Sequence, residues 1–189
     1  MLKMKKQLSK IGLLAMMLFT VSAYAQTTEK TLSEEEKAAA IAQRKKQLEQ
    51  EKAGFEKPYN PAENAEAKLK EILKQAKAEG KNVMIQAGGN WCIWCLRFNH
   101  YVKTTPELKN LVDANYVYYH LNYSPDNKNE KVFAKYLKPG EKYGYPFFIV
   151  LDNDGKKIHI QESGVLEKDK GYDFDKVKAF FEAWIPNKG

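Results

Sequence analysis

The sequence is poor in cysteine, with two residues among 189. A single pair cannot form the disulfide framework that holds many exported domains together. It also cannot supply a structural zinc site, which takes four ligands. No second C-x-x-C is present, and the three histidines (His100, His120 and His159) do not make an H-x-x-x-H pair. Attached haem needs a His directly after the second cysteine, and Leu96 stands there. No hydrophobic run reaches the length of about 18 residues that a membrane span needs. Nothing matches a nucleic-acid-binding motif, and there are no internal repeats. Neither a metal, a cofactor nor a nucleic-acid partner is therefore expected.

Both cysteines fall within Asn90-Trp91-Cys92-Ile93-Trp94-Cys95. A strand-like run (Val83, Met84, Ile85) leads into this segment, and a helix-like run (Leu96 to Val102) follows it. Thiols at i and i+3, placed where a strand hands over to a helix, are arranged for reversible disulfide chemistry. The helix N-terminus favours an anion, so Cys92 should deprotonate more readily than a free cysteine. Cys95, one turn further on, is placed to attack a mixed disulfide formed on Cys92. As a plain staple the pair is weak: so short a loop contributes only about 2 kcal/mol in the chain-entropy model. Cys92 is thus the candidate nucleophile and Cys95 the resolving cysteine.

The N-terminus has the form of a secretory signal peptide over residues 1–25. Lys3, Lys5, Lys6 and Lys10 make a basic n-region, Ile11 to Phe19 an apolar h-region, and Ala23-Tyr24-Ala25 a cleavage site. The mature chain should begin at Gln26 and act outside the cytoplasm, in the periplasm. Cleavage removes four lysines and lowers the net charge from +7 to about +3. Residues 26–32 have a disordered composition. Ser33-Glu34-Glu35-Glu36 is a capping box that opens a polar helix to about Lys52. That helix and a turn-rich linker form an extension over residues 26–59. It is the one visible candidate for dimerisation of an otherwise monomeric protein.

The folded domain is expected over residues 60–189. Asn60-Pro61-Ala62-Glu63 offers an N-cap with Pro at N1, and Leu69, Ile72, Leu73 and Ala76 recur at helical spacing. Strands are expected at Asn82–Ala87, Tyr116–Asn122 and Pro146–Leu151. Asp152-Asn153-Asp154-Gly155 is a hairpin turn into a returning strand, Lys156–Gln161. Helices are expected from Cys92 to Val102, after Thr105-Pro106-Glu107, at Asn129–Leu137 and at Asp173–Ile185. Helices alternating with strands give an α/β domain, with a parallel portion and an antiparallel edge. Lys128, Lys131, Lys135 and Lys138 have the spacing of one helix face, with Lys142 beyond. Such a stripe is either solvated or a dock for an acidic partner.

Over about residues 61–187 the chain resembles the thioredoxin-fold family, on the strength of Trp91-Cys92-Ile93-Trp94-Cys95 and Tyr145-Pro146-Phe147-Phe148. It is similar to exported thioredoxin-like reductases. It is similar also to the periplasmic C-terminal domain of transmembrane disulfide reductases, which likewise have W-C-x-x-C. The resemblance implies a central mixed sheet flanked by helices, here with an extra N-terminal helix. It also implies a cis Tyr145–Pro146 bond beside the sulfurs. Trp91, Trp94, Tyr145 and Pro146 would support the site and bind substrate. Two positions depart from the family pattern. Gln86 stands where thioredoxins bury an Asp, and His120 where they often carry a Lys. Gln cannot take up a proton, whereas a His with an ordinary pKa of about 6.5 can. The pair is a candidate proton relay; a core role for His120 is the simpler alternative. His100, eight residues past Cys92 and roughly 12 Å along the helix, is too far to serve.

The expected activity is thiol–disulfide exchange with protein disulfides, recharged by a membrane thiol-reducing donor. Strong oxidants place a polar or cationic residue between the cysteines. Ile93-Trp94 supplies no charge, which favours a reductase. A disulfide oxidase or isomerase, or a non-enzymatic metal- or protein-binding module, are the alternatives.

Overall fold

The computed structural model describes residues 33–187. The expected signal peptide and the segment 26–32 lie outside the described residues. Among the described residues, 33–43 and 44–187 belong to separate units.

Helix α1 (Glu34–Ala53) starts as its capping box dictates. The Ser33 amide donates to Glu36 Oε2 (2.8 Å), and the Glu36 amide donates to Ser33 Oγ (3.2 Å). The helix buries no residue, and Ile41 is exposed.

Helix α2 (Ala65–Glu79) begins later than the sequence suggests. Its N-cap is Asn64, which accepts from the Ala67 amide (3.1 Å). Asn60 instead accepts from the Ala62 amide (3.1 Å) and turns the chain before the helix. Short polar side chains offer the backbone this alternative to helix. The buried stripe Ala65, Leu69, Ile72 and Ala76 belongs to the helix that starts at Asn64.

Strand β1 (Asn82–Gly88) is buried at all seven positions. A near-continuous apolar run of this kind marks a central strand. Helices α3 (Ile93–Thr104) and α4 (Pro106–Asn115) carry the chain over to β2 (Tyr116–Asn122), which pairs parallel with β1. Helix α5 (Glu130–Tyr136) precedes β3 (Phe147–Leu151), which is antiparallel to β1. Gly155 takes a positive φ of 83° in the turn that returns β4 (Lys157–Glu162) against β3. The sheet order is β2-β1-β3-β4. A 3-10 turn (Ser163–Leu166) follows, then a short hairpin of β5 (Glu167–Lys168) and β6 (Gly171–Tyr172), which the sequence pattern did not suggest. Helix α6 (Phe174–Ala183) closes the fold, with Asp173 accepting from the Lys176 amide.

The expected lysine stripe does not form one helix face. Lys131 and Lys135 lie on α5, while Lys128 and Lys138 fall outside its seven residues.

Alternation along the strands divides the core in two. Val83, Ile85 and Ala87 of β1 pack with Leu69 and Ile72 of α2 and Phe133 of α5. Met84 faces the other way, to Phe98 of α3, Leu108 of α4 and Phe181 of α6. Phe98 is the hub of that second layer, its ring 4.5 Å from Phe148 and 4.8 Å from Tyr172. Phe98→Ala is expected to cost about 3–5 kcal/mol in urea denaturation. Ile41→Ala, on the exposed face of α1, should change stability by less than about 0.5 kcal/mol.

Candidate active site

Cys92 is the N-cap of α3, in extended conformation, and its sulfur accepts from the Cys95 amide at 3.1 Å. An N-cap side chain accepts an amide that the helix leaves unpaired. Here a sulfur fills the role that a Ser or Asp oxygen usually takes. The same amide and the helix dipole are there to stabilise a Cys92 thiolate once the disulfide is reduced. Cys92 and Cys95 are joined as a disulfide, with their Cα atoms 5.3 Å apart. Cys92 is 6% exposed and Cys95 not at all. The outer sulfur is therefore the one a substrate can reach.

Pro146 follows Tyr145 through a cis peptide bond. This turns the Tyr145 carbonyl towards the site, 3.5 Å from Cys92 Sγ. Trp91 stands at the rim, 48% exposed, and its indole N–H donates to the Tyr123 carbonyl (2.7 Å). Its ring meets Tyr145 edge-on at 5.5 Å, and Tyr145 stacks on Tyr123 at 5.2 Å. The three rings form an apolar platform beside Cys92. Trp94 turns the other way, under the Arg97 guanidinium (4.9 Å) and against Tyr172, whose hydroxyl donates to the Trp94 carbonyl (3.0 Å). Tyr145 and Trp94 both pack against the cysteine cluster, Trp91 meets Tyr145 at the rim, and the Tyr172 hydroxyl ties the Trp94 carbonyl at the start of α3.

Under the inner sulfur the chain comes very close. A Cβ on Gly88 would lie 2.5 Å from Cys95 Sγ and 3.0 Å from the Tyr59 hydroxyl. Any side chain at this point would force the Cys95 sulfur or its neighbours to shift. Tyr59 packs with both cysteines in a small apolar cluster and is 2% exposed. The sequence reading missed this residue, because it lies 31 positions before Asn90, the residue that fixes it. Its one local signal is that it is, with Phe55, one of two large aromatics in the turn-rich linker.

Gln86 and His120 are register partners on β1 and β2. Gln86 is fully buried; its amide N–H donates to the Cys95 carbonyl (3.0 Å), and its carbonyl accepts from the Tyr118 hydroxyl (2.7 Å). It thereby holds the α3 backbone and moves no proton. His120 does not hydrogen-bond to either sulfur. Its ring lies between Tyr59 (5.2 Å) and Tyr118 (5.1 Å), and its Nε2 is buried without a partner among the described residues. Burial pushes the imidazole down from 6.5 to about 4, with Lys103 acting in the same direction and Glu56 against it. His120 is therefore neutral at neutral pH. His100 packs on Phe55 (5.2 Å) at the far end of α3. Among the described residues no cluster of three or more His, Cys, Asp or Glu could hold a metal ion.

The depressed His120 value fixes a pH dependence. Between pH 6.5 and about 4 the unfolded chain binds a proton that the folded chain refuses. Stability from this source is complete above pH 6.5 and falls as the pH drops through that window. Thermal melts of His120→Gln are expected to show a shallower loss of Tm over this range than the unaltered protein. The same variant should leave the pH dependence of disulfide exchange unchanged between about pH 6 and 8.

Residues 64–153 match the family model described as thioredoxin-like. Among solved structures, the chain is similar to a disulphide isomerase from Xylella fastidiosa Temecula1, at 21% identity and a TM-score of 0.58. That match covers 67% of this chain and 95% of the other. Weaker likenesses include a DsbH oxidoreductase (19% identity, TM-score 0.44, 61% and 82% covered) and a thioredoxin from Thermus thermophilus (19%, 0.42, 60% and 82%). No curated protein matches the sequence. With a mixed four-stranded sheet between two helical layers and a Cys-x-x-Cys disulfide at the head of α3, the chain has the thioredoxin fold.

Proposed function

We propose that this protein is an exported reductase of protein disulfides, recharged by a membrane thiol-reducing donor. The observation that carries the direction is the absence of charge at the sulfurs. Among the described residues, no cationic side chain hydrogen-bonds either cysteine, and the Cys92 sulfur has one amide, that of Cys95. A thiolate stabilised by one amide and a helix dipole makes the reduced form less favoured than in strong oxidants. The basic and apolar segments of residues 1–25 support export, and the Trp91–Tyr145–Tyr123 platform supports a polypeptide substrate. The Tyr145 carbonyl beside Cys92 would suit hydrogen bonding to an incoming extended peptide.

The cycle then runs as follows. The Cys92 thiolate attacks one sulfur of the substrate disulfide, and the other substrate sulfur leaves as a thiolate that takes up a proton. Cys95 attacks Cys92, and the second substrate sulfur leaves with its electron pair. The substrate gains two electrons and the enzyme dithiol becomes the disulfide seen here.

Equilibration with glutathione or dithiothreitol should give a reduction potential near or below about −220 mV. A value above about −150 mV would make the protein an oxidant or isomerase instead. Cys92→Ala should abolish turnover. Cys95→Ala should keep the first step and accumulate mixed disulfides, visible on non-reducing gels.

A further inference from the structure

The last turn of α1 and the segment after it are strapped along α3. Glu51 grips Arg97 with two hydrogen bonds (2.7 and 2.9 Å), and Glu56 pairs with Lys103 (2.6 Å). Asn90 then clamps both backbone groups of Tyr59. The Tyr59 amide donates to Asn90 Oδ1 (3.2 Å), and Asn90 Nδ2 donates to the Tyr59 carbonyl (2.8 Å). The clamp sits two residues before Cys92 and directs the Tyr59 ring beneath the disulfide.

There the Tyr59 hydroxyl is buried and has no hydrogen-bond partner among the described residues. Gln86 lies beside it and acts on the phenol as a donor, against the effect of burial, while its amide N–H also donates to the Cys95 carbonyl and its oxygen accepts from the Tyr118 hydroxyl. The hydroxyl and Cys95 Sγ flank the same point over Gly88, 3.0 and 2.5 Å from it, so they are no farther apart than those distances together. A buried hydroxyl left unpaired is costly and calls for an explanation. A disulfide sulfur accepts hydrogen bonds poorly, whereas a thiolate accepts them strongly. We propose that Tyr59 is the hydrogen-bond donor to the Cys95 thiolate in the step that resolves the mixed disulfide, filling the place that Gln86 cannot. This role rests on the dithiol–disulfide cycle proposed above.

The step balances without any further reagent. The Cys95 thiol releases its proton to solvent, and the thiolate attacks Cys92 Sγ. The Cys92–Cys95 bond forms, the Cys92–substrate bond breaks, and the substrate sulfur leaves with the electron pair and takes up a proton. Tyr59 keeps its own proton throughout. Burial holds its phenol well above the usual range, so it donates a hydrogen bond and does not act as a base.

Tyr59→Phe keeps the ring and deletes the donor. Rapid mixing of the reduced protein with a disulfide-containing peptide should show resolution about tenfold slower at pH 7, with its pH inflection about one unit higher. The alkylation rate of Cys92 should be unchanged, and the Tm of the oxidised form no lower. Installing 3-fluorotyrosine at position 59, a stronger donor, should move the inflection down. Unchanged resolution in Tyr59→Phe overturns the role. So does slowing that is equal at every pH and accompanied by a lower Tm, the signature of packing alone. If the unaltered protein formed no Cys92–Cys95 disulfide at any poise, the redox reading itself would fall and this role with it. That outcome is read on the wild type, so the two failures are distinct.

Discussion

The Cys95 sulfur is packed beneath the C-terminal end of β1, and that contact dictates what can stand around it. Gly88 lacks a Cβ because the sulfur and the Tyr59 hydroxyl occupy the space. Gln86 reaches from the same strand to the Cys95 carbonyl and fixes the height of α3 above the sheet. With the helix pinned there, Cys92 falls at its N-cap and meets the Tyr145 carbonyl. The two sulfurs of one disulfide thereby acquire different surroundings, one against the sheet and one at a rim of aromatic rings. Burial leaves only the outer sulfur within reach of a substrate.

The polar groups on the sheet face under α3 are uncharged. Gln86 bonds to Tyr118, and His120, kept neutral by burial, sits between Tyr118 and Tyr59. Thioredoxins place a carboxylate in this layer. A buried charge needs partners or gives up its ionisation, and here neutral donors and acceptors take its place. The ion pairs of this region lie further out, between Glu51 and Arg97 and between Glu56 and Lys103, where they hold the strap to the helix.

The redox motif was legible because its spacing and its strand-to-helix setting are local. Strands β1 and β3 were legible because a central strand reads as a continuous apolar run, β2 was legible from its alternation, and Gly155 marked the hairpin turn. The start of α2 was not, since Asn60 and Asn64 are equally good caps in isolation and the burial of Ala65 and Leu69 decides between them. Tyr59 was hidden for a deeper reason. Its partner Asn90 is 31 residues away, and no local pattern encodes that clamp. His120 could be placed opposite Gln86 from the sequence, but its protonation depends on desolvation by Tyr59 and Tyr118, which exists only in the folded chain.

Two of the three tryptophans flank the disulfide, one on each side of Cys92, and they differ in setting. Trp91 is half in solvent, whereas Trp94 lies between a guanidinium and a tyrosine ring. A disulfide quenches the emission of an indole beside it, and a dithiol does so less. The centre therefore carries its own optical gauge. The intrinsic fluorescence of the unlabelled protein is expected to rise when the Cys92–Cys95 disulfide is reduced.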